Sequence, residues 1–183
     1  MGFKRFAEYF KIDPKRHIVQ VCDQRIMIGS GYIHDLAVVD MHTGVLTLKS
    51  GWASAFECYP ELTGASSSLV LSVIGEPDEF SNSIPVFISS DGQVHEDFCE
   101  VFGYPHVTHT GRLMYENTSF LCKDKALNHA IGSLTYRVES WKQRRSQLLK
   151  DIEDIDRELD ATVAQKEALK AEVARLRAGS GNN

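Results

Sequence analysis

Between Lys49 and Arg112 the chain contains no lysine or arginine. The same interval carries nine carboxylates: Glu57, Glu61, Glu76, Asp78, Glu79, Asp91, Glu96, Asp97 and Glu100. A surface of that composition repels phosphate backbones, so direct nucleic-acid binding by this part of the chain is not expected. It attracts a basic protein instead, and it also serves solubility. Long apolar runs are missing too. None approaches the roughly 18 consecutive residues that a bilayer span requires, and no membrane association is expected. The N-terminal MGFKRFAEYFKIDPKR lacks the apolar core and small-residue cleavage site of a secretion signal. The four cysteines, Cys22, Cys58, Cys99 and Cys122, form no CxxC pair and read as reduced thiols of a cytoplasmic protein. There is no nucleophile elbow, no phosphate-cradling glycine loop and no HExxH, so the chain reads as a non-enzyme that needs no cofactor.

What is present divides in two. Of the 183 residues 43% are hydrophobic, enough for a packed core. Residues 1–122 hold 8 Lys/Arg against 15 Asp/Glu, whereas residues 123–183 hold 12 against 10. In the first part, Phe3, Phe6 and Phe10 lie on one stripe of a helix over 2–12, which the Asp13-Pro14 pair stops. HIVQVCD, RIMIGSG, DLAVVD and VLTLKS read as strands, with Met41-His42-Thr43-Gly44 as a hairpin loop. SLVLSVIG fits either a buried strand or a short buried helix, and the serines at 66–68 could cap the latter. IPVFISS and QVHED form a hairpin around Asp91-Gly92, and RLMYENTSFLC reads as a last strand. The expectation for 1–122 is an acidic α+β head: an N-terminal helix and a mixed, mostly antiparallel sheet.

Residues 123–178 contain no proline and one glycine, Gly132. Leu127, Ile131, Leu134, Val138, Trp141, Arg145, Leu148, Ile152, Ile155, Leu159, Thr162, Lys166, Leu169, Val173 and Leu176 alternate spacings of four and three. A seven-residue repeat held that long predicts a coiled-coil helix about 80 Å in length, with residues 179–183 as a disordered tail. Its apolar seam needs a partner helix, and a second copy of the chain is the one always at hand. A parallel, in-register pair would set Arg145 on Arg145 and Lys166 on Lys166. An antiparallel pair centred near Lys150 sets Arg145 level with Ile155, Arg144 near Asp151 and Glu158, and Lys142 near Asp156. The charges therefore favour an antiparallel homodimer.

One stretch invites a chemical reading. HEDFCEVFGYPHVTHTG, residues 95–111, holds three histidines, a cysteine and three carboxylates. Cys99, His106, His109 and Cys122 have the ligand types of a zinc site, but their C-x6-H-x2-H-x12-C spacing lacks the tight knuckle of structural sites. A zinc-dependent enzyme built on 95–122 is the catalytic alternative. The plainer reading has the cysteines as small buried groups and the histidines in a loop.

The run GYPHVTHTGRLMYENTSF, followed by KDKALNHA, resembles segments of small accessory proteins of tailed bacteriophages. The likeness covers residues 91–130 at most and brings no catalytic motif. It implies a phage-encoded protein acting on a host factor in the bacterial cytoplasm. The expected function is then a self-associating binding protein that inhibits or modulates a host nucleic-acid-handling or defence complex. Its recognition surface would be Glu76, Asp78, Glu79, Glu96, Asp97 and Glu100, facing a basic partner. A virion or assembly component is the structural alternative.

Overall fold

The computed structural model describes residues 2–179, with side chains through Arg177. The fold is α+β. Its elements in order are α1 (Phe3–Tyr9), β1 (Ile18–Cys22), β2 (Arg25–Gly29), β3 (Ala37–Asp40), β4 (Leu46–Leu48), a 3-10 turn (Ala53–Phe56), α2 (Pro60–Thr63), α3 (Ser67–Gly75), β5 (Ile84–Ser90), β6 (Gln93–Cys99), β7 (His106–Val107), β8 (Leu113–Met114), β9 (Ser119–Phe120) and α4 (Lys123–Gly179). The chain divides into two compact units, 1–131 and 132–183. The change of composition at 123 marks the start of α4. The first unit extends to 131 because Ala126 and Ala130 are buried and His129 Nδ1 meets Ser89 Oγ at 3.1 Å. Of the tail expected at 179–183, Gly179 closes the helix and the rest lies outside the described residues.

β1 to β4 form a four-stranded antiparallel meander, ordered as in the chain. Alternation sends Val19, Ile26, Ile28, Ala37 and Val39 to one face, where they are buried. Phe3 and Phe6 from α1 with Phe10 just after it, Phe56, Tyr59 and Leu62 from the middle segment, and Val70, Val73 and Ile74 from α3 complete that core. The hairpin at Asp91-Gly92 forms as expected, pairing Ser90 with Gln93; both turn residues have positive φ, which Asp tolerates and glycine adopts freely. The β1–β2 turn uses the same conformation without glycine: Asp23 (φ 48) and Gln24 (φ 61). Gly29 is required for a different reason. A Cβ there would sit 2.2 Å from the Ile33 carbonyl oxygen.

Several details depart from the sequence expectations. α1 ends at Tyr9, not at residue 12. Lys11 takes φ 54, its N–H donates to the Glu8 carbonyl and the Ile12 N–H to the Ala7 carbonyl, a Schellman closure that buries Ile12. The chain has thus left the helix before Pro14 can act. SLVLSVIG is helical, and Ser66 caps it by accepting from the Leu69 N–H at 3.3 Å. RLMYENTSFLC is not one strand. Met114 pairs with His106 in a two-stranded ribbon, whereas Ser119 pairs with Ile88 in the β6-β5-β9 sheet. A turn closed by the Thr118 N–H on the Tyr115 carbonyl separates them. The strands therefore belong to three sheets, and every strand pair is antiparallel.

Two substitutions test this backbone account by chemical denaturation. Gln24→Gly relieves a left-handed non-glycine residue and should stabilise the chain by about 0.5–1 kcal/mol. Gly29→Ala should destabilise it by roughly 2 kcal/mol or more, since main chain must shift to admit the methyl.

Candidate functional site

The basic residues missing from 50–111 are supplied by α1. Lys4 Nζ donates to Glu100 Oε1 at 2.7 Å and to the Glu79 carbonyl at 2.6 Å, and lies 5.3 Å from the Phe80 ring centroid. Glu100 also accepts from the Ser81 N–H (2.7 Å) and Oγ (2.6 Å). Arg5 Nε reaches Glu76 at 2.9 Å, and the Arg5 N–H donates to Asp78 Oδ1 at 2.7 Å, so Asp78 caps the first turn of α1. The Lys4 hydrogen bond, then the Ser81 hydroxyl, push the Glu100 carboxyl down to about 2. Burial pulls Lys4 down, but the bond to Glu100 and its charge outweigh this and raise it. Asp78 goes the other way: burial raises its carboxyl against the α1 amides that lower it, and its Oδ2 is buried without a partner.

Of the six carboxylates expected to form a recognition surface, four are therefore engaged internally. Glu76, Asp78 and Glu100 hold α1. Asp97 is buried, accepting from the Thr110 hydroxyl at 2.5 Å and the Phe98 N–H at 2.7 Å. Glu79 and Glu96 are exposed and, among the described residues, their side chains make no ion pair. The signal that could have revealed the α1 contacts was present: Lys4 and Arg5 stand on the polar face of a helix whose phenylalanines must be buried. Nothing in their spacing says which acids they meet.

The histidine-rich stretch is built into the fold. His106 is buried; its Nδ1 donates to the Gly103 carbonyl at 2.7 Å and its Nε2 lies 3.3 Å from Ser119 Oγ. His109 stacks on Phe80 with ring centroids 3.7 Å apart, and its Nε2 donates to the Asn82 carbonyl at 3.1 Å. Cys99 is fully buried, and burial, then the nearby Asp97, push its thiol up. Cys122 is exposed. Among the described residues no three His, Cys, Asp or Glu side chains come together as metal ligands, and Cys99, His106, His109 and Cys122 are not brought into one group. His95 is exposed on β6.

A groove of about 370 Å³ lies beside these residues, floored by Phe3, Ala7, Ile18, Val107 and Leu113 and edged by Lys4, Glu100, His17 and His106. His17 Nδ1 meets the Tyr59 hydroxyl at 3.0 Å, and burial, then the Arg16 charge, lower its affinity for a proton.

The second surface is the apolar stripe of α4. The seven-residue pattern is carried by one unbroken helix. Leu134, Val138, Trp141, Leu148, Ile152, Ile155, Leu159, Leu169 and Val173 are between 41% and 69% exposed, and Leu176 is 65% exposed. Among the described residues no helix is long and apolar enough to cross a membrane, so a lipid interior does not account for this stripe by a span.

The Lys4–Glu100 pair predicts a pH signature. Glu100 ionises below its ordinary 4.5 in the folded chain, so its contribution is complete above pH 4.5 and is lost as pH falls toward about 2. Glu100→Gln should cost roughly 1–3 kcal/mol at pH 7, held below the full linkage value because a quarter of the side chain remains in water. In urea titrations the gap between variant and parent should close as pH falls through that window. A gap that persists unchanged at pH 2 contradicts the assignment.

No protein-family model, curated protein or solved structure matches the chain.

Proposed function

We propose that the chain is a non-enzymatic, self-associating binding protein in which a second copy covers the apolar stripe of α4. The observation that carries this reading is the stripe itself: nine large apolar side chains on 134–173, each at least two-fifths exposed. Covering half of one such side chain contributes about 1 kcal/mol at ~25 cal/mol per Å². Nine on each of two helices give a gain of the same order as the roughly 4–15 kcal/mol of freedom lost on association together with the ordering of those side chains.

The recognition surface on the first unit is acidic, and Glu79 and Glu96 are its free carboxylates. They suit a partner with a basic face. Two copies joined through their helices would present two such surfaces, and binding both at once multiplies affinity through effective concentration. The setting proposed for it, inhibition or modulation of a host nucleic-acid-handling or defence complex, rests on the sequence resemblance of residues 91–130 alone.

Sedimentation equilibrium at micromolar concentration should give twice the 20.5 kDa of one chain. Leu148→Glu with Ile152→Glu should return the mass to one chain while the far-ultraviolet signature of the strands persists. A monodisperse monomer of the unaltered chain, still helical, overturns the proposal. For the acidic surface, Glu79→Gln with Glu96→Gln should weaken capture of the basic host partner several-fold and flatten its salt dependence. Unchanged capture removes that surface from the reading.

A further inference from the structure

We infer that the two α4 helices pair antiparallel in a single register, crossing at Lys150, and that a second copy of this chain is the occupant the stripe is built for. This rests on the self-association proposed above and adds orientation and register to it.

The stripe is its own mirror image about Lys150. With that residue at the crossing, Leu148 lies opposite Ile152 of the partner copy, Arg145 opposite Ile155, Trp141 opposite Leu159, and Leu134 opposite Lys166. Every stripe position from 134 to 166 thus faces a stripe position. No two like charges meet inside. Arg145 and Lys166 each face an apolar residue along which their stems can lie, with the heads reaching water.

The length of stripe covered singles out this register, and the flanking charges suit it. In antiparallel coils, residues beside the seam meet their own kind on the other helix. Crossing at Lys150 sets Arg144 against Glu158 and Lys142 against Asp156, each pair occurring twice by symmetry, and puts Leu149 against its own copy. Only Asp151 meets a like charge, itself. Among the described residues, Arg144, Asp156 and Glu158 form no ion pair within their own chain, whereas Lys142 would trade its 2.7 Å contact with Glu139. The alternatives do worse. Moving the crossing half a heptad toward the C-terminus sets Asp151 against Glu158 twice. Moving it the other way keeps favourable flanking pairs, Arg144 with Asp151 and Arg137 with Glu158, but carries Leu169 and Val173 past Leu127, where the stripe begins, and leaves both uncovered. A parallel pair in register stacks Arg145 on Arg145 and Lys166 on Lys166, and brings Arg137 to Lys142 and Asp151 to Asp156.

The test uses the full chain with Cys22, Cys58 and Cys122 replaced by serine and a spin label on Ser140→Cys. At 1.5 Å of rise per residue, the proposed register separates the two labels by about 30 Å, measurable by double electron–electron resonance. A distance near 40 Å, or below about 20 Å, in a protein of two-chain mass overturns the register or the orientation and leaves self-association standing. A one-chain mass overturns both. Charge exchange gives an independent readout. Arg144→Glu should raise the dimer dissociation constant about tenfold, and adding Glu158→Arg should return it to within roughly threefold of the parent. Failure of the second change to rescue the first contradicts the proposed register, since the two positions meet only there.

Discussion

Apolar surface must be covered, and the chain meets that constraint in two ways. In the first unit the phenylalanines of α1 and the apolar side of α3 close over one face of the β1–β4 meander, so that Phe6, Ile26, Ile28 and Leu62 see no water. In α4 beyond residue 131 the same residue types recur every three or four positions, and the large ones among the described residues stay between about two-fifths and seven-tenths exposed. Leu148, Ile152 and Leu159 are as apolar as the residues of the core, yet roughly half their surface is open. A single helix cannot bury its own stripe, because all of that stripe points the same way. The proposed second copy answers this geometry without any special chemistry.

Charge decides how the pieces sit. An acidic interval of more than sixty residues would repel itself if left alone. The docking of α1 places Lys4 against Glu100 and Arg5 against Glu76 and Asp78, turning a third of those carboxylates into the sockets of one short helix. What remains free, notably Glu79 and Glu96, is a smaller acidic surface than composition suggests. Along α4 the basic block around 142–150 and the acidic block around 151–160 are complementary in the proposed antiparallel pair, where each lies against the other.

Periodicity was the most legible part of the sequence. The heptad repeat and the absence of proline marked α4, because a helix imposes its period through local bonds alone. The hairpins at Met41–Gly44 and Asp91-Gly92 were legible for a similar reason: the turn residues state the backbone conformation they need. The Asp23-Gln24 turn was hidden because its left-handed residues are not glycine. RLMYENTSFLC misled because a run of strand-forming residues does not say which sheet each part will join, and here Met114 and Ser119 go to different ones. The end of α1 was misplaced because proline is the more conspicuous signal, whereas Lys11 closes the helix first.

The histidine-rich stretch shows where local reading stops. Residue types suggested ligands; position turned them into structural parts. His106 is fixed by the Gly103 carbonyl and lies beside Ser119, and His109 is spent on the Asn82 carbonyl and the Phe80 ring. Those partners lie 3 to 29 residues away, a separation that no spacing rule encodes. By itself the sequence determined the class of fold, the long helix and the stripe along it, since these follow from short-range period and turn chemistry. Only the tertiary structure decided which carboxylates are free and which histidines are occupied, because such pairings form when distant segments are brought together by burial of the core between them.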